Sequence, residues 1–150
     1  MRAIIQRVTQ ASVEIENQIK AQIGTGILVL LGIEEEDTAE DAAWLAAKIV
    51  NLRIFGDNEG LMNLSLQAVK GDILLVSQFT LHARVKKGSR PSFVRAARPD
   101  EAVPLYEKFI SLLEDQLGRK IRTGEFGALM KVSLVNDGPV TIFIDTKQKE

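Results

Sequence analysis

The chain has 150 residues, a formal net charge of −1, 45% hydrophobic residues, 26% charged residues and no cysteine. This length and balance are typical of one globular domain, here residues 1–150, and the missing cysteines exclude disulfides and cysteine metal sites. The longest apolar run, 27–31, is too short to span a bilayer, and residues 1–7 do not resemble a signal peptide. We therefore expect a cytoplasmic protein with no membrane partner.

Strands dominate the first third of the chain. Four segments have the alternating or continuously apolar pattern of strands: 3–8, 12–16, 19–23 and 27–31. A helix is predicted to begin at Asp37 or Thr38, because Thr38 and Asp41 have capping-box spacing before an apolar stripe.

A second helix is predicted between Pro99, in its first turn, and its C-cap Gly118. Its expected apolar stripe consists of Val103, Tyr106, Ile110, Leu113 and Leu117. Five further segments are predicted strands: 53–55, 73–81, 120–123, 129–135 and 140–145. Two helices and many strands, without regular alternation, predict a single-domain α/β fold. Its sheet should be mixed, largely antiparallel and barrel-like, with the helices on one face.

Polar residues end the strand predicted at 73–81. The end of this segment consists of Ser77, Gln78, Phe79, Thr80 and Leu81. An amphipathic strand end explains the alternation, and a pocket lined by hydroxyls and free backbone amides explains it too. Thr80 and the only histidine, His82, would share one face of the strand, which leaves a threonine–histidine hydrolase open. No nearby carboxylate in the sequence orients that ring, which favours an ordinary loop histidine.

Other familiar sites are excluded or weak. One histidine without cysteines predicts no metal site, and Gly24-Thr25-Gly26 lacks the pattern of a nucleotide loop, so no cofactor is expected. The Gly138-Pro139 step lies between the last two predicted strands and is explained by a tight turn.

A cationic stretch follows the polar strand end. Residues 73–99 contain no acid and six bases: Arg84, Lys86, Lys87, Arg90, Arg95 and Arg98. This distribution indicates a polyanionic partner at one edge of the protein, with ordinary solvated charge as the alternative.

Three segments of the chain resemble motifs of D-aminoacyl-tRNA deacylases. They are 77–81, Gly88-Ser89-Arg90-Pro91-Ser92-Phe93 and Asn136-Asp137-Gly138-Pro139-Val140-Thr141. Their order and spacing also resemble the family, as does the opening 1–8, so the resemblance covers the full chain. It implies a homodimeric cytoplasmic hydrolase without a cofactor, which cleaves the ester joining a D-amino acid to tRNA. Glycine carried by alanine tRNA is a further substrate to consider.

The resemblance also implies roles for residues. The catalytic group would be Ser77, Gln78, Phe79 and Thr80, with the backbone amides of Phe79 and Thr80 near the ester carbonyl. Ser77 and Gln78 would position the terminal adenosine or brace the pocket. The family is thought to activate water with a hydroxyl of the RNA, and a nucleophilic Thr80 stays the alternative.

A cis Gly138–Pro139 step, supported by Asn136 and Thr141, would enter the partner subunit's pocket and exclude L side chains. Two carbonyls turned the same way would accept the substrate ammonium, so only hydrogen or a D side chain would fit. The residues expected to contact tRNA phosphates are Lys86, Lys87 and Arg90.

The chain departs from the family pattern in one place. Arg84-Val85 stands where many members have an aspartate-threonine or similar pair, and His82 is not a family signature. No role is transferred to these residues. A dimeric RNA-binding module without catalysis remains the second hypothesis, because acid–base side chains are scarce.

Overall fold

A computed structural model describes residues 1–150. Its strands are β1 (Arg2–Ile15), β2 (Gln18–Ile23), β3 (Gly26–Gly32), β4 (Phe55–Gly56), β5 (Met62–Leu64), β6 (Asp72–Ser77), β7 (Arg122–Thr123) and β8 (Lys131–Asp145). The helices are α1 (Ala39–Asn51) and α2 (Pro99–Leu117), and a 3₁₀ turn spans Phe79–His82.

Six strands form one mixed sheet in the order β2-β1-β3-β6-β7, with β8 also paired to β1. β1 is antiparallel to β2, β3 and β8, whereas the β3–β6 and β6–β7 pairs are parallel. β4 and β5 form a separate hairpin. The predicted fold class is therefore confirmed.

Side chains of the sheet alternate between two cores. In β3, Ile27, Val29 and Leu31 face the larger core with both helices, while Leu28 faces a smaller core on the other side. Burial on both faces explains why this strand is continuously apolar. The helices cover one face, as predicted.

Local signals locate the helix ends correctly. Thr38 caps α1 in a capping box with Asp41, and Gly118 ends α2 in the left-handed conformation at φ 71°. The buried stripe of α2 is Ala102, Tyr106, Phe109, Leu113 and Leu117. Val103 and Ile110 are only half-buried, and their neighbours Ala102 and Phe109 are buried in their place. The predicted stripe was therefore wrong by one position at each, because docking on the sheet buries the aromatic Phe109.

Strand boundaries differ from prediction where long-range pairing decides them. Segments 3–8 and 12–16 are one strand, β1, and segments 129–135 and 140–145 are one strand, β8. The expected strand at 53–55 is shifted to β4, and its partner β5 was missed. The long strands tolerate these irregular positions because β1 and β8 pair with each other along their length, through two register shifts.

Candidate functional site

The polar segment 77–81 leaves the sheet earlier than its sequence predicts. The Gln78 N–H still donates to the Leu31 carbonyl at 2.7 Å, after which the chain turns. Within the turn, the Leu81 N–H donates to the Gln78 carbonyl at 3.2 Å and the Ala83 N–H to the Thr80 carbonyl at 3.1 Å. The predicted strand to residue 81 is therefore wrong, and so are the two faces assigned from alternation.

The turn leaves two adjacent backbone donors free. The N–H groups of Phe79 and Thr80 open the 3₁₀ turn, where no carbonyl of the turn accepts from them. Neither donates to another protein group. The Thr80 hydroxyl accepts from the Gln78 side-chain amide at 2.5 Å. Two neighbouring free N–H groups can bind a carbonyl oxygen on which negative charge develops.

An apolar pocket of about 310 Å³ adjoins this turn. Its lining consists of Leu31, Ile33, Ser77, Gln78, Phe79, Ala96, Ala97, Pro99, Ala102, Phe126 and Gly127. The pocket thus brings three of the four predicted catalytic residues to one cavity, and Thr80 follows directly in the turn. Its small apolar lining residues were missed because alanines on a helix or loop have the pattern of ordinary core.

Two of the pocket-lining residues, Phe79 and Phe126, each pack against another aromatic ring. Phe79 is 55% exposed, and its ring packs edge to face on Phe93 with centroids 5.1 Å apart. Phe126 meets Tyr106 at 5.5 Å. Burial raises the pKa of Tyr106 to about 12, so its hydroxyl stays protonated beneath the pocket.

A larger and more polar cleft, about 800 Å³, lies at the opposite end of β6 beside Asp72 and Arg122. None of the predicted site residues lines it. The smaller pocket is therefore the better candidate, since it adjoins the free amides.

His82 is buried, and its side chain forms no hydrogen bond with Thr80. Both ring nitrogens lack a hydrogen-bond partner, and Nδ1 lies 3.7 Å from Oε2 of Glu34. His82 lies outside the strands, as expected of a loop histidine, but its burial was not expected and results from packing of the ring against Gly32. The arrangement gives no support to a threonine–histidine pair, since no hydrogen bond joins the two side chains.

The Gly138–Pro139 peptide is cis and exposed. It does not lie in a turn between two strands, as predicted, but in a bulge of β8. Asn136 pairs with Val8 and Thr141 with Gln6, so four residues of β8 stand opposite Arg7 alone. The extra residues must leave the plane of the sheet, which explains why the step protrudes.

The two predicted supporting residues brace this bulge. The Asn136 side-chain amide donates to the carbonyls of Arg7 and Val140, each at 2.9 Å, and the Thr141 hydroxyl donates to Asn136 Oδ1 at 3.3 Å. Arg7 also contacts Asp137, with 3.4 Å between Nε and Oδ2. Arg7 was given no role from the sequence, because a lone arginine in a strand-like segment has the pattern of an ordinary surface residue.

Within one protomer, the bulge and the turn do not share a cavity. Ser77 pairs with Leu31, Leu31 with Ala3, and Ala3 with Ile144, which puts roughly 14 Å of sheet between Ser77 and β8. Pro139 lies five residues before Ile144, roughly 17 Å further along the strand. Neither Gly138 nor Pro139 lines the apolar pocket.

The cationic stretch forms a loop directly after the turn. Two backbone hydrogen bonds between Arg84 and Ser92, at 2.8 and 3.0 Å, close its base. Lys86, Lys87 and Arg90 are exposed on this loop and form no ion pair. The chain then lines the pocket through Ala96 and Ala97, so the loop joins the turn to the pocket wall.

Two further properties of the chain bear on its partners. No helix combines the length and apolarity needed to cross a membrane. No group of three or more histidine, aspartate or glutamate side chains stands close enough to hold a metal ion.

Comparisons with known proteins agree along the whole chain. The sequence profile of the family described as D-Tyr-tRNA(Tyr) deacylase matches residues 4–145. Proteins named D-aminoacyl-tRNA deacylase from Flavobacterium johnsoniae and Bacteroides thetaiotaomicron are 60% and 59% identical over 150 residues, which is 100% of each chain.

Two solved structures share the fold. The c-Myc DNA unwinding element binding protein superimposes with a TM-score of 0.91 at 42% identity, covering 97% of this chain and 98% of that one. A probable eukaryotic D-amino acid tRNA deacylase superimposes with a TM-score of 0.80 at 20% identity, covering 95% and 97%.

Proposed function

Because the chain belongs to the D-Tyr-tRNA(Tyr) deacylase family and is a hydrolase of D-aminoacyl-tRNA, we propose that its reaction takes place at the Phe79–His82 turn. One observation carries this assignment. The adjacent N–H groups of Phe79 and Thr80 have no protein acceptor and adjoin the apolar pocket.

In this proposal the two N–H groups form the oxyanion site. Water attacks the carbonyl carbon of the ester, and the carbonyl oxygen takes up negative charge opposite the N–H groups of Phe79 and Thr80. The intermediate collapses by breaking the bond to the ribose oxygen, which leaves with a proton. The products are a D-amino acid and tRNA with a free 3′ end. One such donor typically contributes about 10²–10³-fold in rate.

The protein offers no side chain placed to deprotonate the water. His82 is buried away from the pocket lining, and the Thr80 hydroxyl already accepts a hydrogen bond from Gln78. We therefore assign water activation to the ribose hydroxyl next to the ester, which the substrate itself supplies. A nucleophilic Thr80 ranks second, because no base contacts its hydroxyl.

The apolar pocket suits the terminal adenosine. Its lining offers flat apolar contact from Phe126 and Ala102, with polar groups of Ser77 and Gln78 at one side. A few polar groups in an apolar cavity fix the orientation of a bound ring. On this assignment, Ser77 and Gln78 position the nucleoside while the ester lies at the turn.

We assign the stereochemical selection to the Gly138–Pro139 step of a partner subunit in a homodimer. The separation of bulge and turn within one protomer supports this arrangement, since one chain alone does not bring them together. β8 pairs only with β1, which leaves its other edge free. Two large apolar side chains of β8, Val135 and Phe143, are also 47% and 58% exposed. In the proposed homodimer, a second copy of the chain buries this surface.

The selection works by exclusion. A backbone step held against the α-carbon leaves no room for an L side chain, whereas hydrogen or a D side chain points elsewhere. Glycyl-tRNA(Ala) is therefore proposed as a second substrate, since glycine has no side chain to exclude.

The basic loop is proposed to contact the acceptor end of tRNA. Lys86, Lys87 and Arg90 are exposed and form no ion pair, and their loop joins the turn to the pocket wall, so they are free to contact phosphates. The reaction then belongs in the cytoplasm, where aminoacyl-tRNA is used.

The test is release of tyrosine from D- and L-tyrosyl-tRNA by the purified protein. We expect hydrolysis of the D-ester and little of the L-ester. Phe79→Pro removes one N–H, whereas Phe79→Leu removes the same ring and keeps the N–H. The proline variant should be slower than the leucine variant by about 10²–10³-fold. Equal rates would exclude the oxyanion role.

Nucleic-acid binding apart from hydrolysis is the second candidate function. The likeness to a c-Myc DNA unwinding element binding protein, together with the basic loop, favours testing it. In that case tRNA that carries no amino acid would also bind, with steep salt dependence.

A further inference from the structure

One side chain outside the pocket connects the candidate catalytic turn to the other end of the chain. The Arg2 guanidinium donates from Nη1 to the Leu81 carbonyl at 2.9 Å and from Nε to Asp145 Oδ2 at 2.9 Å. Leu81 lies in the turn that begins with the free Phe79 and Thr80 amides. Arg2 itself does not line the apolar pocket.

The Leu81 carbonyl lies where a 3₁₀ turn has unpaired acceptors. The last carbonyls of a helical turn have no partner within it, so an arginine there satisfies one of them. The Leu81 N–H meanwhile donates to Gln78. Both backbone groups of Leu81 are therefore occupied, one from within the turn and one by Arg2.

The guanidinium has a rigid support. Arg2 and Asp145 stand directly opposite each other in the β1–β8 ladder, and the Asp145 side chain is 6% exposed. Its other oxygen accepts from the Lys147 N–H at 2.9 Å. An ionised arginine–carboxylate pair gives short, strongly directional hydrogen bonds, so the position of Nη1 is well defined.

The neighbouring strand leaves space for the turn. Gly32 pairs with Arg2 across β3 and β1, and a Cβ at this glycine would lie 3.0 Å from the Gln78 carbonyl oxygen and from Leu81 Cβ. The turn therefore rests directly on the backbone of β3. Arg2 reaches it from the next strand.

We propose that Arg2 is a positioning residue for the deacylation reaction, fixing the turn so that the Phe79 and Thr80 amides face the ester carbonyl. This inference rests on the proposed function of that turn. A misplacement of roughly 1 Å in a catalytic group lowers the rate about 100-fold. Arg2 thus acts on the chemical step through Leu81, without touching the substrate.

Arg119 provides a matched control at the opposite end of β6. It also links a carboxylate and a backbone carbonyl, because Nη1 donates to Asp72 at 2.6 Å and Nη2 donates to the Gly71 carbonyl. The side chains of Arg2 and Arg119 are 28% and 35% exposed. Arg2→Met and Arg119→Met therefore remove similar interactions, one at the turn and one far from it.

Single-turnover hydrolysis of D-tyrosyl-tRNA, with enzyme in excess, separates the chemical rate from the half-saturating enzyme concentration. We expect Arg2→Met to lower the rate about tenfold to a hundredfold with little change in half-saturation. Arg2→Lys should be intermediate, because one ammonium cannot hold both acceptors in the same geometry. Arg119→Met should lose thermal stability without losing rate. Equal rates for Arg2→Met and Arg119→Met would overturn the proposal. If Arg2→Met does not fold, the rate of Arg2→Lys is compared with that of Arg119→Met instead, and equal rates would again overturn it.

Amide hydrogen exchange separates this inference from the proposed function. Arg2→Met should speed exchange at the Leu81 and Ala83 amides, which hold the turn, and Arg119→Met should not. Unchanged exchange in Arg2→Met would overturn the role of Arg2, whatever the enzyme hydrolyses. A wild-type protein that leaves D-tyrosyl-tRNA intact would instead refute the proposed function.

Discussion

Arg7 donates a hydrogen bond from Nε to the carbonyl oxygen of Asp137 at 3.1 Å. Its Nη1 donates to the Ile54 carbonyl at 2.7 Å, so one side chain joins the protruding bulge of β8 to the chain leading into β4. The bulge is exposed, yet arginine on one side and Asn136 on the other restrain its backbone. This restraint favours the proposed entry of the bulge into a partner subunit, because little order would have to be gained when the two surfaces meet.

Gly138→Ala should damage this protrusion. Gly138 has φ 125°, which L residues rarely adopt, and an added Cβ would lie 2.9 Å from Arg7 Nη2. We expect a loss of about 1–3 kcal/mol in the free energy of unfolding and a lower ratio of D- to L-tyrosyl-tRNA hydrolysis. Urea unfolding and the two hydrolysis rates measure these effects.

Gly60→Ala is the control for that change. Gly60 also has a positive φ, 79°, but open space surrounds its Cβ position in the β4–β5 hairpin. This variant should lose stability through its backbone and keep the selectivity of the wild type. An unchanged selectivity ratio in Gly138→Ala would contradict the role of the bulge.

Thr80→Val tests whether the hydroxyl or the backbone of Thr80 acts. Valine keeps the branched shape and the N–H, and it removes only the oxygen that accepts from Gln78. We expect activity within about tenfold of wild type, since a neutral hydrogen bond contributes about 0.5–1.5 kcal/mol. Thr80→Ser keeps a hydroxyl and is the control. Full inactivity of the valine variant beside an active serine variant would establish a threonine nucleophile.

The helix ends could be predicted because their causes are local. Thr38 and Asp41 bond to each other across three residues, and Gly118 supplies a backbone conformation that other residues avoid. The continuous apolar pattern of β3 likewise needs no knowledge of its partners. Such features depend on residues within one turn or one strand.

For the candidate site, the sequence predicted which segments take part but not the conformation that each one adopts. Phe79 and Leu81 continue the alternation of β6, but Arg2 and Gly32, distant in sequence, convert that stretch into a turn. Similarly, Gly138-Pro139 has the composition of a turn, and only the pairing with β1 makes it a bulge. Pocket-lining residues such as Ala102 gave no signal, because the helix that carries them has an ordinary amphipathic pattern.

The basic loop should control the salt dependence of tRNA binding. Lys86→Gln combined with Lys87→Gln removes two charges that form no ion pair within the chain. We expect the slope of log affinity against log salt to fall by about one for each phosphate that the variant no longer neutralises. Lys108→Gln, an exposed lysine on α2, is the matched control and should leave the slope unchanged. Filter binding over a salt series measures this slope. Equal slopes for the wild type and both variants would show that the loop does not contact tRNA.

Asp41 should make stability depend on pH in the acid range. Burial alone would raise the pKa of Asp41, but hydrogen bonds from Lys147 and from the Thr38 N–H outweigh it and hold that pKa well below 3.8. The folded carboxylate therefore binds protons less readily than the unfolded one. Its contribution to stability is present above pH 3.8 and is lost as the pH falls below that value.

Asp41→Asn should accordingly lower the melting temperature at pH 7, and the deficit should shrink as the pH falls below 3.8. We expect a loss of about 1 kcal/mol at neutral pH, similar to the loss of one helix cap. Glu40→Gln is the control, because Glu40 lies in the same first turn but is exposed. Thermal unfolding from pH 7 to about pH 2 measures both variants, because the contribution is lost progressively below the unfolded pKa. A deficit in Asp41→Asn that stays constant over this range would show that the side chain stabilises α1 by its shape and not by its charge.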